Sequence, residues 1–150
     1  MTVTDSSSPA LQQLQSAVLA MPMARTLGLR FVHAAPGTVE LEMPIQDAFC
    51  FRPGQLQATA LFALGDFAAV SAAGSLLPPG WANATVDGSV KLFAPARGSH
   101  VRARGRVVDA GRLLSICAAD LYAVAEDGSE TPCATWLGTA RNLEVRPTQA

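Results

Sequence analysis

The sequence predicts an α+β domain in which an antiparallel sheet wraps one long, buried helix. Two observations carry this expectation. The run Gln55–Leu77 is apolar almost all round, as a helix enclosed by protein reads. Strand-like segments lie on both sides of it, two before and four after, so a sheet has to cover a single helix.

Taken in order, residues 1–8 form a polar tail that ends in Ser8-Pro9, an N-cap and first-turn pair. Leu11, Leu14 and Val18 then give the spacing of a short amphipathic helix to about Ala20, which Pro22 interrupts. Leu27–Ala35 and Thr38–Pro44 flank Pro36-Gly37, a hairpin turn, and in the second segment Val39, Leu41 and Met43 alternate with Glu40 and Glu42. Ile45–Gly54 reads as a loop into the long helix, and Pro78-Pro79-Gly80 stops that helix sharply. Four further strands are expected near Ala84–Ala94, His100–Val108, Leu113–Ala125 and Pro132–Leu143, with turns at Ala110-Gly111 and Glu126-Asp127-Gly128. The division that follows is 1–22 for the tail and short helix, 23–145 for the main domain and 146–150 for a C-terminal tail.

Composition narrows the function. A chain of 150 residues fits one domain, and 49% hydrophobic against 15% charged residues points to surface hidden by self-association. A net charge of -1 gives no general attraction to nucleic acid or to acidic membranes, and neither is an expected partner. Gln55–Leu77 is long enough for a bilayer, but it carries Gln55, Gln57, Thr59, Ser71 and Ser75, with Asp66 at its centre. A lone central Asp costs about 2.5–3.5 kcal/mol on insertion, so a buried helix is the better account. The N-terminus shows no basic segment followed by an apolar one, and Cys50, Cys117 and Cys133 are odd in number and widely spaced. Buried free thiols in a cytoplasmic protein are expected, with no metal site and no disulfide framework. His33 and His100 lie in separate strand regions with no Ser or Cys motif beside either, so a Ser-His-Asp triad is not expected. There is neither a GxGxxG nor a P-loop, and no cofactor is implied.

Arg102, Arg104 and Arg106 alternate with Val101, Ala103 and Val107, which places them on one face of a strand. They read as a solvated sheet face or as a row of phosphate-binding cations. Arg97, in Pro95-Ala96-Arg97-Gly98, is a comparable phosphate candidate, and Lys91 a weaker one.

From about Met23 to Leu143 the chain resembles the hotdog-fold acyl-CoA thioesterases, in particular the phenylacetyl-CoA thioesterase-like branch. The resemblance rests on MARTLGLRFVHAAPGTVELEMP, on GQLQATALFALGD with its mid-helix acid, on the LPPG stop, and on KLFAPARG before long strands. It implies a hotdog fold and hydrolysis of an acyl-CoA, with coenzyme A present only as part of the substrate. The family signature is a loop Asn, then Gly, then His-Gly-Gly at the helix start, with an acid eight residues after the first of those two glycines. On this chain Asp66 falls on the acid and Gly54 on the leading Gly. Phe51 stands at the Asn, Gln57 at the His, Ala58 at the first Gly and Thr59 at the second.

Thioester hydrolysis needs an activated water or a carboxylate nucleophile, and donors for the developing oxyanion. Asp66 is the candidate for the first, and the backbone amides near Gln57, Ala58 and Thr59 for the second, since a helix start carries unpaired N–H groups. Gln57 is also a candidate side-chain donor, or simply an early-helix polar residue; Phe51 is a candidate to line an acyl pocket or pack the core, and Phe62 and Phe67 are candidates to border that pocket. Ala58 and Asp66 lie about 12 Å apart along one helix, too far to serve one thioester carbon. If both act, the site is shared across a two-fold dimer, alone or within a dimer of dimers. Phe62, Ala63, Ala69 and Val70 share the face of Asp66 and offer it no hydrogen bond, and Ser71 points well round from it. The alternative to a hydrolase is a non-catalytic hotdog module that binds an acyl-CoA or another apolar ligand. A hotdog dehydratase ranks last, because this helix has no His.

Overall fold

The computed structural model describes residues 8–145; most of the expected N-terminal tail and all of the C-terminal one lie outside them. Three helices and eight strands make up the described chain: α1 Pro9–Leu19, α2 Pro22–Leu27, β1 Arg30–Ala35, β2 Thr38–Pro44, β3 Cys50–Arg52, β4 Gln55–Leu56, α3 Ala58–Gly74, β5 Trp81–Leu92, β6 His100–Ala110, β7 Leu114–Val124 and β8 Glu130–Glu144. Six of the strands form one antiparallel sheet in the order β1-β2-β6-β7-β8-β5, and α3 packs against it. This is a hotdog fold. No helix among the described residues is long and apolar enough to cross a membrane.

Local chemistry accounts for the elements. Ser8 caps α1, its Oγ accepting from the Leu11 N–H at 3.2 Å, and Leu11 and Val18 are the buried stripe. Pro22 does more than interrupt: it opens α2, a short helix that the sequence reading did not expect, ended by Gly28 at φ 70°. Gly37, at φ 81°, makes the β1–β2 turn as expected. The long helix is shorter at both ends than Gln55–Leu77. Gln55 and Leu56 pair with β3 as a two-stranded ribbon, and the helix closes at Gly74. The expected loop 45–54 thus contains β3 and a single 3-10 turn at Asp47–Phe49.

The inner face of the sheet is apolar: Leu41 and Met43 from β2, Val101 and Ala103 from β6, Leu121 from β7 and Trp136 from β8 are fully buried with Leu64 of α3. The helix lies close because its contacts are small. A Cβ on Gly105 would overlap the carbonyl oxygen of Ala68 and sit 3.0 Å from the Ala69 nitrogen. Ala68, Ala69 and Ala72 are correspondingly closed to solvent. This is backbone against backbone, with no side-chain end that could yield.

The outer face carries the charges. The β2–β6 register sets Glu40 against Arg104 and Glu42 against Arg102, so two alternations visible in the sequence become one ladder. Glu42, only 4% exposed, accepts from Arg102 and Arg30, and Arg102 and Arg104 also reach Glu130 at 2.6 and 2.7 Å. Arg106 pairs with Asp120 at 2.7 Å. The arginines therefore read as a mutually neutralised sheet face rather than a free row of cations. Burial would raise the Glu42 carboxyl, but the bonds from Arg102 and Arg30 and the neighbouring His100 hold it below its usual range.

Gly105→Ala is expected to destabilise the fold by about 1–3 kcal/mol or more, because overpacking here meets backbone. Urea denaturation followed by circular dichroism measures it, and an unchanged midpoint would show that the helix has room.

Candidate active site

Asp66 sits near the middle of α3, half-buried, and its partner comes from the sheet. The Thr85 hydroxyl on β5 donates to Asp66 Oδ1 at 2.7 Å. The residues that share its face of α3 offer no partner, as expected, and the bond comes from β5. Burial raises the Asp66 carboxyl above its ordinary value, and the single bond from Thr85 offsets only part of that. The carboxyl therefore holds its proton more readily than a free aspartate, the direction in which a proton acceptor is tuned.

A bulge in β5 puts Thr85 in place. The β5–β8 register slips between Thr85 and Asp87, so Thr85 lies opposite Ala140 while Asp87 lies opposite Thr139. Before the bulge, Asn83 and Thr85 oppose inward residues of β8; after it, Gly88 and Val90 do. The extra residue, Val86, is exposed. Asn83 uses its inward position to donate to the Val70 carbonyl oxygen at 3.0 Å, a second tie between β5 and α3. Asp87-Gly88 in the sequence is the local signal of this irregularity, within a segment whose pattern reads as one uninterrupted strand.

The helix start is open. Gln57 is the N-cap residue but its side chain makes no capping bond and is exposed. Its backbone N–H is spent on the Phe49 carbonyl oxygen at 2.8 Å, and its own carbonyl accepts from Ala60 and Leu61. Ala58 and Thr59, both exposed, are left with amides that have no partner among the described residues. Of the three amides considered from sequence, Gln57's is occupied and the other two are free.

The remaining candidates are dispersed. Phe51, on β3, is 56% exposed, with the Arg52 guanidinium 4.8 Å from its ring centroid, so it does not pack the core. Gly54 holds φ 74° in the β3–β4 turn, with open space where a side chain would be. Phe62 is half-buried and meets the Trp136 indole edge-on at 5.8 Å. Arg97 is exposed in the loop before β6 and makes no ion pair among the described residues. Within one copy, Asp66 and the free amides are not brought together. Cys117 and Cys133 are free and buried, and burial pushes both thiols up to about 11, helped at Cys117 by the Asp66 charge. They stay protonated and offer no nucleophile. Cys50 is free and only half-buried.

The Asp66 carboxyl also bears on stability. Its pKa is raised in the fold, so the stability it contributes is present below its unfolded value and lost as pH rises through the folded one. Asp66→Asn, which keeps an acceptor for Thr85, is expected to raise Tm at pH 7. Each 1 kcal/mol gained would appear as about 2–4 °C at this size, and the gain should vanish at acidic pH. A lowered Tm at pH 7 in differential scanning calorimetry would mean that the carboxylate is a stabilising group instead.

No family model and no curated protein matches the chain. Solved structures do. A thioesterase family protein from Silicibacter pomeroyi is 34% identical, with a TM-score of 0.86 over 90% of this chain and 98% of that one. A thioesterase from Haemophilus influenzae superimposes at a TM-score of 0.78 with 18% identity, over 91% of this chain and 92% of its own. The E. coli PaaI protein from the phenylacetic acid degradation operon gives 0.76 and 17%, over 89% and 93%. The last two share the fold. The first, at its identity and coverage, shows the family, and the chain belongs to the hotdog-fold thioesterases.

Proposed function

We propose that this chain hydrolyses an acyl-CoA to the free acid and CoA, with Asp66 as the general base. The observation that carries the reading is the under-solvated Asp66 carboxylate, held by one hydroxyl, on the central helix of a thioesterase-family fold. A raised pKa favours a base over a permanently charged nucleophile. Asp66 takes a proton from a water whose oxygen attacks the thioester carbon. The carbonyl oxygen becomes an oxyanion, stabilised by the free amides of Ala58 and Thr59. The C–S bond then breaks, and the proton held by Asp66 passes to the departing CoA sulfur. The exposed Gln57 side chain stands beside those amides as a further donor to the carbonyl.

Eight residues separate Ala58 from Asp66, about 12 Å of helix, so one substrate is served by Asp66 of one copy and the helix start of another. Two features support self-association. β5 is an edge strand, and Val86, Leu92 and Phe93 on and just after it are exposed, Phe93 to 61%. In this arrangement Phe51, Gly54, Thr59 and Phe62 border the acyl group, and the unpaired Arg97 takes a CoA phosphate. The cytoplasm, a reducing compartment, suits three free cysteines.

A second reading, a module that binds acyl-CoA without turning it over, has its own support: an exposed phenylalanine and an uncapped glutamine stand where the family places Asn and His. Purified protein assayed against a broad acyl-CoA panel separates the two. Binding without turnover favours the second.

If the hydrolase reading holds, Asp66→Asn lowers kcat by about 10²- to 10⁴-fold, whereas undiminished activity would remove Asp66 from the mechanism. Thr85→Val removes the bond that lowers the Asp66 pKa, so the acid limb of kcat/KM moves to higher pH. An unmoved limb would mean that another group titrates. Ala58→Pro deletes one amide at the first helical position, where proline is tolerated, and Gln57 at φ -70° and ψ 148° already has the geometry a following proline requires. A fall in kcat of about 10²- to 10³-fold with an intact fold is expected, and unchanged turnover would take that N–H out of the oxyanion hole.

A further inference from the structure

β5 is an edge strand, paired on one side only, with β8. Among the described residues, two side-chain hydrogen bonds tie it to α3. The Asn83 amide donates to the Val70 carbonyl oxygen at 3.0 Å, and the Thr85 hydroxyl to Asp66 Oδ1 at 2.7 Å. The two contacts match in spacing. Asn83 and Thr85 are two residues apart on one strand face, about 6.6 Å, and Asp66 and Val70 are four apart on one helix face, about 6 Å. Their order is reversed, Asn83 on Val70 and Thr85 on Asp66. Strand and helix therefore run antiparallel here, and the two bonds are rungs of one ladder.

The ladder ends at Thr85. Beyond it the register with β8 slips at Val86, and the next inward residues, Gly88 and Val90, have no polar side chain to offer α3. Thr85 is itself exposed, so water competes for its hydroxyl. Asn83 is the firmer anchor, half-buried and bonded to a backbone oxygen fixed within the helix. Its in-register neighbour on β8, Asn142, donates instead to the Gly111 and Arg112 carbonyl oxygens of the β6–β7 turn, which leaves the Asn83 amide to α3.

We infer that Asn83 is a positioning residue: by fixing β5 to α3 at Val70, it holds the Thr85 hydroxyl on Asp66. This rests on the reading of Asp66 as the general base. Burial raises the Asp66 carboxyl and the Thr85 bond lowers it, so a β5 that drifts from α3 lets that carboxyl rise further. The other elements packed on α3 bring no charge to the acid. α1 has no ionisable residue, the inward residues of β2, β6 and β8 are uncharged, and Asp87 and Lys91 of β5 fall on the outer face. From β7 the Cys117 thiol feels the Asp66 charge, but at about 11 it stays neutral.

Carbon-13 NMR titration of the Asp66 side-chain carboxyl tests this without any turnover. Asn83→Val, which suits a strand but removes the donor, is expected to raise the Asp66 midpoint by about half a pH unit, in the same direction as Thr85→Val. The double variant should go no higher than Thr85→Val alone, since a hydroxyl that is gone cannot be positioned. The acid limb of kcat/KM should follow the midpoint. An unmoved midpoint in Asn83→Val would overturn the inference, and so would a double variant whose shift is the sum of the two. If Asn83→Val does not fold, Asn83→Ser carries the same comparison, its hydroxyl one bond short of the Val70 carbonyl oxygen. A coupled shift with no turnover of any acyl-CoA would sink the hydrolase reading and leave Asn83 in this role. An uncoupled shift with normal turnover would sink this inference alone.

Discussion

The structure depends on how closely α3 approaches the sheet. Gly105 brings the β6 backbone against the Ala68 carbonyl, and Gly65 lets the helix settle on the base of Trp136. Large side chains at these positions would lift the helix away and open the core. Length makes Gln55–Leu77 a candidate membrane span, but its alanine-rich composition is the one a tightly wrapped helix requires. Apolar residues of α3 meet the sheet on one face and α1 on another.

That closeness also makes Asp66 chemically unusual. An acid on a helix enclosed by small apolar residues loses water and gains few donors, so its carboxyl rises. One hydroxyl reaches it, and only because β5 carries a bulge that turns Thr85 inward while leaving Gly88 and Val90 inward as well. The bulge thus sets both the partner of the acid and the glycine, Gly88, that packs on Trp136. The helix start has the opposite character, exposed and with two unspent amides. A half-buried carboxylate and an exposed helix start, at two points of one helix, are the two halves that the proposed hydrolytic site requires.

Alternation and turn chemistry mark the six long strands, and an all-round apolar run closed by Pro78-Pro79-Gly80 marks the central helix. The Glu40–Glu42 and Arg102–Arg104–Arg106 alternations were both legible, yet their pairing was not: it depends on the β2–β6 register, which no local pattern states. α2 was hidden behind a proline that served equally as a stop and as a first turn. Gln55 and Leu56 looked helical because two residues of strand leave no period to detect. At the site, Asp66 was legible from its isolation in an apolar run. Thr85 was not, since a residue 19 positions away reaches the acid only through the bulge. The packing of Trp136 depends on three glycines from three elements and has no sequence signature.

The central claim is that Asp66 and the Ala58 end of α3 act on one substrate from different copies of the chain. Subunit mixing of Asp66→Asn with Ala58→Pro tests it most directly. Each variant alone is impaired at every site, but a mixed dimer holds one site with an intact acid and an intact amide. Unfolding and refolding the two together at equal concentrations should recover about a quarter of wild-type thioesterase activity, from one good site in half of the dimers. Activity no greater than the mean of the two parents would contradict the shared site, because a site confined to one copy would carry a defect in every subunit.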